Sequence, residues 1–149
     1  MADQGEDDDD DAIRTVLRDR AGAIRAKDAG GALAAFAADA VTFDLAPPLA
    51  KAGPDALDWS DLEDWFATWR GPIGYELADF SVAVDGDHAC CHGFVRISGT
   101  KTDGEEVSVW ARQTLFLRRF TPSWLIVHEH TSVPFHMDGS YRAAVDLKP

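Results

Sequence analysis

Between Ala12 and Ile24 apolar residues recur at three- and four-residue steps (Ile13, Val16, Leu17, Ala21, Ile24), with Arg14, Arg18 and Arg20 between them. That period predicts an amphipathic helix with a wet, basic outer face. Lys27-Asp28-Ala29-Gly30-Gly31 reads as its stop, and Ala32 to Ala38 as a short second helix anchored by Leu33 and Phe36. The pattern then alternates. In "VTFDLAPPL" Val41, Phe43 and Leu45 share one face and Thr42, Asp44 and Ala46 the other, a strand ended by Pro47 and Pro48. Leu57 to Trp69 returns to helical spacing through Leu62, Trp65, Phe66 and Trp69, and "SDLE" offers a capping box from Ser60 to Glu63. Beyond it "YELADFSVAV", "HACCHGFVRISGT", "EEVSVWARQTLFLRRF" and "WLIVHEHTSVPF" are separated by the turns Asp85-Gly86-Asp87, Thr102-Asp103-Gly104 and Thr121-Pro122-Ser123. These four segments predict an antiparallel meander. The whole order predicts an α+β domain, a curved antiparallel sheet wrapped around the N-terminal helices, whose open mouth suits a small molecule.

A length of 149 residues and an apolar fraction of 46% fit one domain with a real core. No apolar run is long enough to cross a membrane, and "MADQGEDDDDD" lacks the basic flank and apolar stretch of a secretory signal, so cytoplasmic residence is the default expectation. The net charge of −12 argues against nucleic acid. Asp3 and the run Glu6 to Asp11 supply more than half of it, and residues 1–11 read as a disordered acidic tail. The domain then spans 12–136, with 137–149 as a C-terminal tail. Cys90 and Cys91 are adjacent, point to opposite faces of a strand, and read as two reduced core residues.

Candidate chemistry concentrates in a few places. Asp44 follows apolar strand neighbours, where desolvation would make it a useful base; a salt bridge to a sheet arginine is the structural alternative. Trp110, Arg112 and Thr114 alternate on one face, a pairing suited to an anionic or unsaturated ligand, or to neutralising Asp44 or Glu129. His128, His130 and Ser132 share a face of the last strand. His128 could serve as acid or base and His130 and Ser132 as ligand contacts, or the histidines could be satisfied by sheet neighbours. Two histidines can also chelate a metal, but no spacing selects His88, His92 or His136 as a third ligand, and no metal is expected. Trp65 could line the mouth or simply pack in the core, and Tyr75 could offer a phenol to the cavity. Glycine-rich phosphate loops, GxSxG and CxxC are absent from the sequence, and no cofactor is expected.

"AKDAGGALAAFAADAVTFDLAPPL", "SVWARQTLFLRR" and "WLIVHEHTSVPF", in that order, resemble the nuclear transport factor 2-like superfamily, in particular its SnoaL-like and ketosteroid-isomerase-related branch. The resemblance covers Ala12 to Phe135. It implies a cone-shaped domain, commonly a homodimer joined through the outer face of the sheet. Asp44 sits where ketosteroid isomerases place their proton-shuttling aspartate. Their tyrosine on the first helix falls near Arg20 here and their protonated acid on Arg112 or Gln113, so steroid isomerisation by that mechanism is not expected. The family register places His128 and His130 inward and Glu129 outward. "WLIVHEHTS" also resembles the association domain of calcium/calmodulin-dependent kinase, a non-catalytic member.

Two functions follow as expectations. The first is a cofactor-independent acid/base enzyme of isomerase, dehydratase, cyclase or epoxide-hydrolase type. It would act on a small anionic or carbonyl-containing molecule, with Asp44 or His128 moving a proton. The second is a non-catalytic ligand-binding or assembly domain.

Overall fold

The computed structural model describes residues 4–149. Its elements are α1 (Gln4–Arg25), α2 (Ala29–Leu33), β1 (Phe36–Phe43), β2 (Lys51–Ala52), α3 (Trp59–Ala67), β3 (Trp69–Asp85), β4 (His88–Lys101), β5 (Glu106–Phe120) and β6 (Ser123–Ser132). The strands form one six-stranded sheet in the order β2-β1-β6-β5-β4-β3. The meander β3 to β6 is antiparallel throughout, but β1 lies parallel to β6, so the sheet is mixed rather than wholly antiparallel. Phe36 to Ala38, expected to close a helix, opens β1 instead. Pairing with β6, with Phe36 beside Ile126, overrides the local helical spacing.

α1 buries Ile13, Leu17, Ala21 and Ile24, and this stripe lies on the concave face of the sheet. Around its N-terminal half Ile13 and Leu17 meet Cys91, Leu115, Leu117, Trp124 and Ile126. Its C-terminal half joins a second cluster with Phe66, Trp69, Ile73, Tyr75, Val95 and Ile97. Cys91 is fully buried and Cys90 half-buried; burial pushes the Cys91 thiol up to about 12, which keeps it an inert core group. The N-cap of α3 is Asp58, not Ser60: its carboxylate accepts from the backbone N–H of Ser60 at 2.9 Å and of Asp61 at 3.1 Å. Residues 133–149 carry one isolated bridge, Phe135 to Ala143, and bury Ala144.

The acidic run is not a loose tail from Gln4 onward. It forms the first turns of α1, where negative charge favours a helix N-terminus, and its carboxylates find partners. Arg14 Nε donates to Asp10 at 2.6 Å. Arg119 grips Asp9 through two hydrogen bonds of 2.8 and 2.6 Å, lies over the Trp124 ring, and also reaches Asp87 at 3.1 Å. The disorder expected of residues 1–3 falls outside the described residues. Hydrogen bonding from Arg119 holds the Asp9 carboxyl below the usual carboxylate range of about 3.9. The latch is therefore complete above that range and is lost as pH falls through the lower folded value. Acidification from pH 5 to pH 2 is expected to lower the amide protection factors, corrected for intrinsic exchange, in the first turns of α1 before those of the sheet; unchanged protection of α1 across that range would contradict the latch.

Candidate functional site

A cavity of about 550 Å³ opens between α2, α3, the loop after β1 and the concave face of the sheet. What reaches its floor is decided by one residue. On β6, Trp124 and Ile126 point inward, as alternation requires. Between Phe116↔His128 and Leu117↔Ile126 the β5–β6 register slips, leaving Val127 as an extra residue. The inward parity then changes from even to odd: Glu129 and Thr131 are buried in the cavity wall, while His128, His130 and Ser132 turn outward.

The register expected for the histidines is thus reversed. His128 packs between the Phe43 and Phe116 rings, its Nδ1 donating to the Val41 carbonyl at 2.8 Å. His130 and Ser132 line a second, shallower groove beneath the Asp44–Ala50 loop. On β5 the buried positions are Ala111, Gln113, Leu115 and Leu117, so Trp110 and Arg112 lie on the convex face, away from the cavity. Asp44 and Arg112 therefore do not meet, and His128 stays apart from both, whereas His130 and Ser132 share the second groove with Asp44. Asp44, Trp65 and Tyr75 do share the cavity.

Its polar centre is built around Arg20 and Glu129, expected on a wet helix face and on the outer face of β6 but turned inward by the fold. Arg20 of α1 meets Glu129 of β6 in a two-pronged ion pair, one prong at 3.0 Å, with side chains only 12% and 5% exposed. The Arg20 guanidinium also lies 4.9 Å from the centroid of Phe36. Burial opposes the Arg20 charge, but Glu129, aided by Tyr75 and Asp44, outweighs it and raises the pKa above the ordinary guanidinium value. Burial pushes the Tyr75 phenol up as well, so it stays protonated. Gln113 Nε2 donates to the Tyr75 oxygen at 3.1 Å and to Thr131 Oγ1 at 3.2 Å. Among the described residues the Tyr75 hydrogen has no protein acceptor, and Asp44 has neither an ion-pair nor a hydrogen-bond partner. The Thr42 hydroxyl and the Arg20 Nε are buried without partners.

One signal could have found this centre. Glu129 is the lone acid in an otherwise apolar and histidine-bearing strand, and a buried glutamate needs a cation; Arg20 is the α1 arginine four residues before the buried Ile24. Chemically the arrangement offers an unpaired carboxylate, a neutral phenolic donor and a charge-compensated floor. Among the described residues no three His, Cys, Asp or Glu side chains cluster to hold a metal ion. Among them, too, no helix is long and apolar enough to cross a membrane.

Many solved structures share this architecture, among them the three that follow. A nuclear transport factor 2-like protein of unknown function from Pseudomonas putida KT2440 is 33% identical, covers 92% of this chain and 94% of its own, and superposes with a TM-score of 0.81. A ketosteroid isomerase-like protein from Erwinia carotovora atroseptica is 22% identical over 81% of this chain and 92% of that one, with a TM-score of 0.67. The association domain of C. elegans CaMKII is 17% identical over 87% and 99%, with a TM-score of 0.68. At those identities the latter two share the fold alone. No curated protein matches the sequence at a significant level. The family model for the SnoaL-like domain matches residues 13–136, and with the cone-shaped fold this places the chain in the SnoaL-like family of the nuclear transport factor 2-like superfamily.

Proposed function

We propose that the cavity binds one small carbonyl-containing molecule and that Asp44 moves a proton on it. The observation that carries this reading is an unpaired carboxylate lining an open cavity together with a protonated phenol. Asp44 would take a proton from the carbon next to the carbonyl, and the electron pair would move onto the carbonyl oxygen. Tyr75, held by Gln113, would donate its hydrogen bond to that oxygen as charge develops. Return of the proton to another carbon gives isomerisation; loss of a leaving group from the adjacent carbon gives dehydration. Both conserve electrons, so the scheme invokes no cofactor. Acid/base work by His128 has no support in this geometry, nor has ligand binding by Trp110 or Arg112, because these side chains face away from the cavity.

The direct test is a thermal-shift screen of small ring ketones followed by proton NMR in deuterium oxide. A bound ketone such as 2-tetralone should exchange its α-hydrogens faster with the protein than without it. Binding without exchange would favour the non-catalytic ligand-binding reading.

A homodimer through the convex face is part of the same proposal. That face exposes Phe116 and Phe120 and carries Phe43, Trp110 and His128 beside them, an aromatic surface of the kind that drives self-association. Light scattering at micromolar concentration should give twice the mass of 16.2 kDa. Arg112→Glu, which reverses a charge among the aromatic side chains of that face, should return it to one chain. A monomeric parent protein would overturn the dimer.

A further inference from the structure

The charges around the cavity do not suit the anionic ligand that an inward Arg112 would have implied. Seven ionisable side chains apart from Tyr75 line it: Arg20, Lys51, Asp44, Asp55, Asp58, Asp61 and Glu129. Both cations are spoken for. Arg20 is neutralised by Glu129, and Lys51 lies 3.4 Å from Asp61. Asp58 is engaged in capping α3. Asp44 and Asp55 remain without partners among the described residues. Any bound molecule therefore meets an excess of negative charge, and the unpartnered Arg20 Nε belongs to a guanidinium whose charge Glu129 already balances.

A second, independent feature points to a ligand in the same space. Thr42, 4% exposed, lines the cavity, and its hydroxyl has no hydrogen-bond partner. An orphaned buried hydroxyl costs free energy unless a bound molecule or a water completes it. Around it Leu33, Phe36, Leu62, Trp65 and Ile97 supply an apolar wall for a ring system, and a cavity of about 550 Å³ admits two fused rings.

We propose that the cavity is selective for charge. It takes uncharged or amine-bearing ring compounds, with a polar atom at Thr42 and any ammonium facing Asp44, Asp55 and the Trp65 ring, and it turns away carboxylates and phosphates. This rests on the proposed site and adds the class of its substrate. Asp44 and Asp55 are exposed at the cavity rim, and two such unpaired carboxylates disfavour a like charge beside them by about tenfold in affinity at low ionic strength. The overall charge of −12 steers in the same direction on approach.

The experiment uses one skeleton with three charges: 2-naphthoate, 2-naphthamide and 2-(aminomethyl)naphthalene. Calorimetry and competition against 2-tetralone give each affinity. The amine is expected to bind at least as tightly as the amide, and the carboxylate about tenfold more weakly at low ionic strength. Asp55→Asn should weaken the amine several-fold and leave the amide unchanged. If 2-tetralone undergoes catalysed exchange but the carboxylate binds as tightly as the amide, charge selectivity is refuted and the site stands. If neither tetralone nor amide binds, the site itself is wrong and this inference goes with it.

Discussion

Glu129→Gln is expected to cost about 3–5 kcal/mol, the penalty for leaving a buried guanidinium without its counter-charge. Arg20 and Glu129 are almost wholly enclosed, so water cannot take over from the missing carboxylate. Asp44 offers some relief through its charge on Arg20, which favours the lower part of that range. For a chain of this length the loss corresponds to a fall of roughly 10 °C in Tm. The double variant Arg20→Met/Glu129→Met is expected to return most of the lost stability, because two apolar side chains of similar volume avoid the desolvation penalty altogether. Urea unfolding of the three proteins checks both statements. A single variant within about 1 kcal/mol of the parent would show that the pair is screened as surface pairs are.

Asp44→Asn is expected to leave stability and ketone binding nearly unchanged while slowing catalysed α-hydrogen exchange by about 10²–10⁴-fold, the usual contribution of a positioned base. Asp44 lies outside β1, at an exposed position on the cavity rim, so the amide disturbs no packing. Tyr75→Phe should slow exchange too, but it also removes an acceptor for Gln113, and part of its effect will appear in stability. Arg112→Ala changes a side chain on the opposite face and should not alter the rate per site. An Asp44→Asn protein that exchanges at the parent rate would remove the base from the proposal.

The sequence carried the architecture well because most of the fold repeats a period. Four strands between glycine- and aspartate-marked turns, and a first helix with apolar residues every three or four positions, leave little freedom of class. The site was legible only where it sat on unbroken pattern. Asp44 and Tyr75 lie on or next to regular strand and were placed in the cavity region. His128, His130 and Ser132 lie beyond Val127, and one extra residue in a period of two exchanges the faces of everything after it. No residue type announces that insertion; it is fixed by how β5 and β6 fit together. Arg112 and Trp110 suffered from a different ambiguity, since β5 is rich in large apolar groups on both faces and alternation alone does not name the inner one. The helical course of the acidic run depended on Arg119 and Trp124, more than a hundred residues away in sequence.

The parallel pairing of β1 with β6 has a consequence for assembly. Thr42 faces the cavity from an early strand and Glu129 from the last one, and they are register partners. During synthesis β3, β4 and β5 can zip together as hairpins while β1 has no neighbour on that side. The hollow therefore closes only when Ser123–Ser132 emerges and slots between β5 and β1. Arg20 waits with it, its guanidinium hydrated until Glu129 arrives. The cavity is among the last parts of this protein to be completed, with only the 133–149 segment still to settle.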